Sequence, residues 1–406
     1  MKLRDYEWFG NPRGLHNRGP FRPFDSDRFL RPRMGWVKLV AGSDEYVSEA
    51  ARLVANHCMP IVRIYRSSMG AMAVPDDWYD IYAQYMDAGV RWFELYNEPN
   101  VPEEWPQDPD GNPGVALNWE NVERVISPLM DNWLDWAETM ISMGAYPGFP
   151  ALAASGERER STVYWLNSCL HYLRSTHSER FLWVAENGLW CATHARMLNH
   201  FYQEPPGGPS HVARPYYQQN AEEPGWHFEY PYDPILQRID PDRTVIGGTP
   251  SAPYGDPKGL VAAGEAFQLL LDHHFSLDPV PVIATAGGIT PIPHPDEAPL
   301  QPDGRYPPYS RESHAEAVLA MWRWIVEEGP PWFFGLTLSD ETEYYDKQGT
   351  VPAIERMIET PPILKDMAAL EASHDQPQSL AGGATGPDIT SAPAGAEAPR
   401  PSEETA

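Results

Sequence analysis

A carboxyl group follows a short apolar segment at Glu98. Residues 92–96 read Trp-Phe-Glu-Leu-Tyr, which predicts a buried strand, and Asn97, Glu98 and Pro99 follow it directly. Burial among aromatic side chains disfavours the charged form of a carboxyl, which suits acid/base chemistry near neutral pH. The Asn97 amide can hydrogen-bond a substrate hydroxyl, and Pro99 stiffens the turn that carries both groups. Glu98 and Asn97 are therefore candidate catalytic and binding residues.

Short apolar segments alternate with helical patterns along residues 1–370, which we interpret as one domain. The predicted strands are residues 14–17, 36–40, 60–65, 90–96, 145–153, 190–194, 280–285 and 332–338. The predicted helices include one capped by Ser43 and the segments 118–140, 162–185 and 351–370. Eight such repeats predict an α/β fold, a (β/α)₈ TIM barrel with long βα loops. An open doubly wound sheet is the alternative, although the chain has no glycine-rich phosphate loop.

Composition limits the class of partner. The 406 residues include 30 Lys and Arg against 57 Asp and Glu, a formal charge of −27. We therefore expect neither nucleic-acid binding nor docking on an anionic membrane. No apolar run is long enough for a membrane span, and no signal segment is visible. Residues 371–406 contain no Trp, Tyr or Phe, so we expect a disordered tail or linker, which suits a secreted protein.

The cysteine and histidine spacing does not indicate a metal or a cofactor. Cys58, Cys169 and Cys191 form no CxxC pair, so we expect buried free thiols. His194 and His200 lack the HExxH spacing of a zinc site. The sequence therefore predicts chemistry by side chains alone.

The segment 92–100, Trp-Phe-Glu-Leu-Tyr-Asn-Glu-Pro-Asn, resembles the fourth-strand signature of the clan A glycoside hydrolases, the retaining (β/α)₈ glycosidases. The resemblance implies that Glu98 is the general acid/base and that Asn97 binds the sugar 2-hydroxyl. It implies that Arg63, on the third strand, helps to hold the nucleophile. It also implies that His194, at the end of strand six, contacts a sugar hydroxyl or orients a carboxylate, although a structural histidine is the alternative. The expected substrate is an oligo- or polysaccharide.

The second carboxylate of that mechanism is missing. Residues 281–289 resemble the family's seventh strand, but Ala286 stands where the nucleophilic glutamate belongs, and a methyl group cannot form a glycosyl ester. Three interpretations stay open: an inactivated glycosidase variant, a glycan-binding barrel that does not cleave, or a substitute carboxylate. Asp340 and Glu341, just past strand eight, are the candidates for substitution, since an inverting mechanism tolerates carboxyls about 6.5–9.5 Å apart.

Aromatic side chains complete the predicted binding site. The loop 201–246 carries Trp226 and Tyr230 and is expected to fold over the mouth of the barrel, where such rings stack on sugars or form the loop's own core. Trp332 and Glu341 are further candidate binding residues. A barrel isomerase or aldolase is a more distant alternative, since it needs a strand-end lysine or a metal cluster, and Lys38 lies inside strand two.

Overall fold

The computed structural model describes residues 1–109, 113–196, 202–203, 226–227, 240, 242–247, 249–250, 252–289 and 311–366. These residues contain a closed barrel of eight parallel strands, and the last strand pairs with the first. The strands are β1 Arg13–His16, β2 Trp36–Ala41, β3 Met59–Ile64, β4 Trp92–Glu94, β5 Tyr146–Phe149, β6 Trp190–Arg196, β7 Val282–Gly288 and β8 Phe333–Leu338. The predicted (β/α)₈ barrel is confirmed, and the open doubly wound alternative is wrong.

Helices surround the barrel. They are α1 Asp27–Leu30, α2 Val47–Ala55, α3 Asp77–Asp87, α4 Ser127–Ser142, α5 Thr162–Thr176, α6 Ser178–Asn187, α7 Ala262–Phe275, α8 Arg311–Glu327, α9 Glu341–Tyr345 and α10 Val351–Glu359. A π-helical turn, Val122–Ile126, precedes α4. Among the described residues, no helix has the length and apolarity that a membrane span requires.

Several predicted helix boundaries are wrong, and the predicted helix 118–140 begins instead with the π-helical turn at Val122. Helix α2 begins at Val47 rather than at Ser43, because the Glu45 carboxylate accepts the Ser43 N–H at 2.5 Å and holds a turn there. The predicted helix 162–185 is two helices, which meet at His177 in a non-helical conformation. The last helix ends at Glu359 because Pro361 and Pro362 follow, and a proline disfavours helical geometry in the residue before it.

Aromatic side chains fill the N-terminal half of the barrel. The rings belong to the four even-numbered strands: Trp36, Trp92, Trp190 and Phe334, all fully buried. The Trp92 ring lies 5.2 Å from that of Trp36, 5.4 Å from that of Trp190 and 6.1 Å from that of Phe334, measured between centroids. Alternate strands commonly supply one interior layer in such barrels. This layer fills the N-terminal half of the barrel, so a ligand site is expected at the C-terminal end of the strands.

Parts of the long loop and the tail lie outside the described residues. Tyr202–Gln203 pairs antiparallel with Trp226–His227, and these four residues are the described part of the segment 197–239. The tail 371–406 is not described either, so its predicted disorder stays a prediction. The prediction for the thiols is confirmed, since Cys58, Cys169 and Cys191 are buried and unpaired.

A buried lysine, Lys365, lies at the N-terminal end of the barrel. Its environment predicts that the stability of the fold depends on pH. The Lys365 ammonium donates to the carbonyls of Pro330 and Phe333 at 2.6 and 2.7 Å, and burial lowers its pKa to about 7. Between this value and the ordinary value near 10.4, the unfolded chain holds a proton that the folded chain has lost. Below pH 7 the buried ammonium therefore lowers the free energy of unfolding by its full amount. This destabilisation decreases as the pH rises from about 7 towards 10.4.

We expect the free energy of unfolding to rise with pH relative to a Lys365→Met variant. Urea denaturation measures the free energy of unfolding of both proteins. The value for the original chain minus that for Lys365→Met should increase by about 1–2 kcal/mol between pH 7.5 and pH 9.5. The exposed Lys2 offers a matched Lys2→Met control, for which the difference should stay flat. A flat difference for Lys365→Met would show that the buried ammonium keeps its proton.

Candidate active site

The backbone at Glu98 is strained and held in place. Its φ of +39° lies in the left-handed region, which residues other than glycine rarely adopt. Such backbone strain recurs at functional sites. The Glu98 N–H donates to the Ala151 carbonyl at 2.9 Å. The fully buried Asn100 side chain donates to the carbonyls of Ala153 and Arg160 at 2.9 and 3.0 Å. The loop after β4 is thus fixed to the end of β5.

Three of the residues singled out in the sequence meet at the C-terminal end of the barrel. The Glu98 Oε1 and the His194 Nδ1 are 2.6 Å apart, with side chains 15% and 7% exposed. His194 lies beside Ala286 in the parallel register of β6 and β7, just past an irregularity in the pairing. Register partners point to the same face of a sheet. A longer side chain at Ala286 would therefore share the face that carries the Glu98–His194 contact.

A second carboxyl, that of Glu104, lies next to this pair and is marked by no motif in the sequence. The Asn97 Nδ2 donates to the Glu104 Oε1 at 2.6 Å. Burial raises the pKa of Glu104, and the negative charge of Glu98 adds to that effect, while the Asn97 hydrogen bond and the Arg63 guanidinium oppose it. Glu104 lies in a 3₁₀ turn, Pro102–Glu104, which carries no periodic pattern that would have drawn attention to it.

Arg63 lies on β3 within electrostatic range of both carboxyls. Burial lowers the pKa of its guanidinium, and the charges of Glu104 and then Glu98 oppose that effect. The resemblance implied an arginine that holds the nucleophile. With Ala286 at that position, the negative charges that act on the Arg63 guanidinium include those of Glu104 and Glu98.

Polar side chains form the floor of the site, above the aromatic layer. Lys38 on β2 and Glu94 on β4 form an ion pair in which each side chain is 2% exposed. The His16 Nδ1 lies 2.6 Å from the Asn17 carbonyl, so Nδ1 carries the proton and Nε2 is an acceptor. Burial lowers the pKa of His16 to about 3, so this imidazole is neutral at pH 7. No motif in the sequence marks this floor, although the predicted second strand does include Lys38.

The two carboxylates after β8 have structural partners. The Glu341 oxygens lie 3.0 Å from the Arg18 Nε and 3.1 Å from the Arg28 guanidinium, and the side chain is 3% exposed. The Asp340 carboxylate accepts the Thr342 N–H at 2.8 Å and caps helix α9. These contacts favour an architectural role for both residues over a role as substitute nucleophile.

Of the predicted aromatic binding residues, Trp332 is the one whose side chain the structure describes. Trp332 precedes β8 at the N-terminal end of the barrel, where its carbonyl accepts the Val282 N–H at 2.7 Å. This is the opposite end from Glu98, so its predicted role in substrate binding disagrees with its position. For Trp226 the structure describes only the backbone pairing, and Tyr230 lies outside the described residues. Among the described residues, no group of three or more His, Cys, Asp or Glu side chains is arranged to hold a metal ion.

Comparison with known proteins gives likenesses in the fold only. Neither a protein-family model nor a curated protein matches the chain. Among solved structures, a GH5-4 broad-specificity endoglucanase from Clostridium longisporum shares 10% identity over 83% of this chain and 86% of its own, with a TM-score of 0.38.

Two further similar solved structures, a glucosidase and an epimerase, differ from each other in activity. A family 1 β-glucosidase from Thermotoga maritima shares 11% identity over 77% of this chain and 75% of its own, with a TM-score of 0.35. A D-psicose 3-epimerase from Clostridium cellulolyticum H10 shares 10% identity over 45% of this chain and 73% of its own, with a TM-score of 0.28. Identities and TM-scores this low do not establish an activity, which we therefore infer from the residues of the site.

Proposed function

We propose that this barrel is a glycoside hydrolase of the retaining type, acting on an oligo- or polysaccharide, whose nucleophile position is occupied by Ala286. The contact between Glu98 and His194, beside Ala286 in the strand register, is the observation that supports the proposal most directly. A retaining mechanism needs two carboxyls about 5–5.5 Å apart across the scissile bond. The chain as written supplies one of them, so it should bind a glycan and hydrolyse it very slowly.

The proposed mechanism gives a role to Glu98, His194, Asn97 and Arg63. Glu98 protonates the departing glycosidic oxygen, and the hydrogen bond to the His194 Nδ1 fixes the direction of its carboxyl. Asn97 offers its amide to the sugar 2-hydroxyl. Arg63 supplies positive charge to a site with several carboxyls.

The test uses the chain as written with an activated donor. A glycosyl fluoride of the opposite anomeric configuration to the natural linkage has the configuration of the glycosyl-enzyme intermediate and carries fluoride as its leaving group, so no enzymatic nucleophile is needed. The acceptor hydroxyl oxygen attacks the anomeric carbon, the carbon–fluorine bond breaks, fluoride leaves with the electron pair, and Glu98 takes the acceptor proton. We expect coupled products with α-glucosyl, α-mannosyl or α-xylosyl fluoride and a β-aryl glycoside acceptor.

A Glu98→Ala variant is the control for that experiment. Loss of a positioned general base typically costs about 10²–10⁴-fold, so the coupling should fall by that factor. Coupling that persists in this variant would contradict the assignment of Glu98.

A non-catalytic glycan-binding barrel is the second candidate, and Ala286 itself favours it. The same chain would then bind oligosaccharides, detectable by calorimetry, without coupling any fluoride. An aldolase or isomerase with a reactive lysine is less consistent with the structure, because the Lys38 side chain is 2% exposed and paired with Glu94.

A further inference from the structure

Glu104 is fixed from two directions beside the proposed acid/base. Its carbonyl accepts the Gly70 N–H at 2.7 Å, which ties it to the loop after β3. The next residue, Trp105, is 6% exposed, and its ring N–H donates to the Pro99 carbonyl at 2.8 Å. The turn that carries Glu104 is therefore anchored both to Pro99, next to Glu98, and to the loop after β3.

The contact between Glu104 and Asn97 fixes the orientation of the Asn97 side-chain amide. An ionised carboxylate only accepts hydrogen bonds, so the amide group that faces it must be the NH₂. The 2.6 Å contact from the Asn97 Nδ2 to the Glu104 Oε1 has this arrangement. One N–H of Asn97 is thereby used, and its Oδ1 and second N–H are directed away from Glu104.

The charges that surround Glu104 come from three elements. Arg63 reaches it from β3, Glu98 from the loop after β4 and His194 from β6. A protonated Glu104 could donate to the Asn97 Oδ1 and allow the amide to turn over, so the charge of Glu104 and the orientation of Asn97 are linked.

We propose that Glu104 is a positioning residue that sets the orientation in which Asn97 presents its amide to the substrate. This inference rests on the proposed function for its consequence in catalysis, since Asn97 is there the partner of a sugar hydroxyl. The orientation itself can be measured without any turnover.

The first experiment measures the Asn97 side-chain amide by ¹⁵N NMR, assigned by its loss in Asn97→Ala. Between pH 4 and 8 we expect its resonances to move with the titration of Glu104, and to lose that movement in Glu104→Ala. Glu103→Gln, in the same turn but exposed, is the matched control and should leave the movement intact. An Asn97 amide that does not respond to Glu104 would overturn the inference, whether or not the protein acts on glycans.

The second experiment measures the consequence in an Ala286→Glu background. The ratio of kcat/KM for an aryl glycoside to that for its 2-deoxy analogue reports the contact with the 2-hydroxyl. We expect Glu104→Ala to lower this ratio about tenfold, the value of one hydrogen bond, and Glu104→Asp to restore part of it. If Glu104→Ala turns over normally and the ratio is unchanged, the positioning role is overturned. If the Ala286→Glu background shows no turnover, that result counts against the proposed function, and the NMR experiment decides the orientation of Asn97.

Discussion

Ala286→Glu is expected to turn this chain into an active hydrolase. Replacing one member of a covalent catalytic group changes rates by several orders of magnitude in enzymes where it has been measured. We therefore expect kcat for an activated aryl β-glycoside to rise about 10³-fold or more, which corresponds to a barrier lower by about 4 kcal/mol.

The surroundings of Ala286 suit a glutamate. Ala286 is partly exposed near the C-terminal end of β7, and its register partner His194 already contacts Glu98. A glutamate there would lie on the face that carries the Glu98–His194 contact. The new carboxyl would complete a pair of the kind that a retaining mechanism requires.

Two further variants decide how that result is interpreted. Ala286→Gln has the same size without a nucleophile and should stay at the level of the original chain. Glu98→Ala in the Ala286→Glu background should lose most of the gain, because the leaving oxygen is no longer protonated. Hydrolysis by the original chain that equals that of Ala286→Glu would show that another carboxylate performs the attack.

The fold was largely predictable from the sequence, because each strand is a short apolar segment followed by a helical period. The errors fell where local hydrogen bonds or prolines decide the outcome, as at Ser43, where the Glu45 side chain competes with helix formation. The extent of the last helix was wrong for a related reason, since Pro361 limits it at a position that hydrophobic periodicity alone does not mark.

The site was predictable in part, and the missed residues share a physical feature. Glu98, His194 and Ala286 stand at strand ends, where a barrel concentrates function, and the structure brings them together. Glu104 and the Lys38–Glu94 pair interact across different elements of the chain, through contacts that no sequence period encodes. Trp332 has a suitable residue type for stacking on a sugar, but it precedes β8 and so lies at the end of the barrel opposite to Glu98.

Glu94→Gln is expected to destabilise the fold strongly. The Lys38–Glu94 pair lies inside the barrel, where removing one partner of an ion pair leaves a buried charge without compensation and typically costs about 3–5 kcal/mol. Burial lowers the pKa of Lys38, and the charge of Arg63, the register neighbour of Glu94, adds to that effect, so the variant would leave two basic groups in the barrel without the Glu94 carboxylate. Urea denaturation at pH 7 measures the loss as a lower free energy of unfolding.

The double variant Lys38→Met and Glu94→Leu separates charge from packing. Apolar residues of similar volume often replace a buried pair at no cost, so the double variant should lie within about 1 kcal/mol of the original chain or above it. Asp27→Asn breaks an exposed pair with Arg52, in which the side chains are 57% and 54% exposed, and should cost less than about 1 kcal/mol. If the double variant were as unstable as Glu94→Gln, the pair would contribute through its shape and hydrogen bonding rather than through compensation of charge. The floor of the site would then depend on these two side chains themselves, and not only on the balance between them.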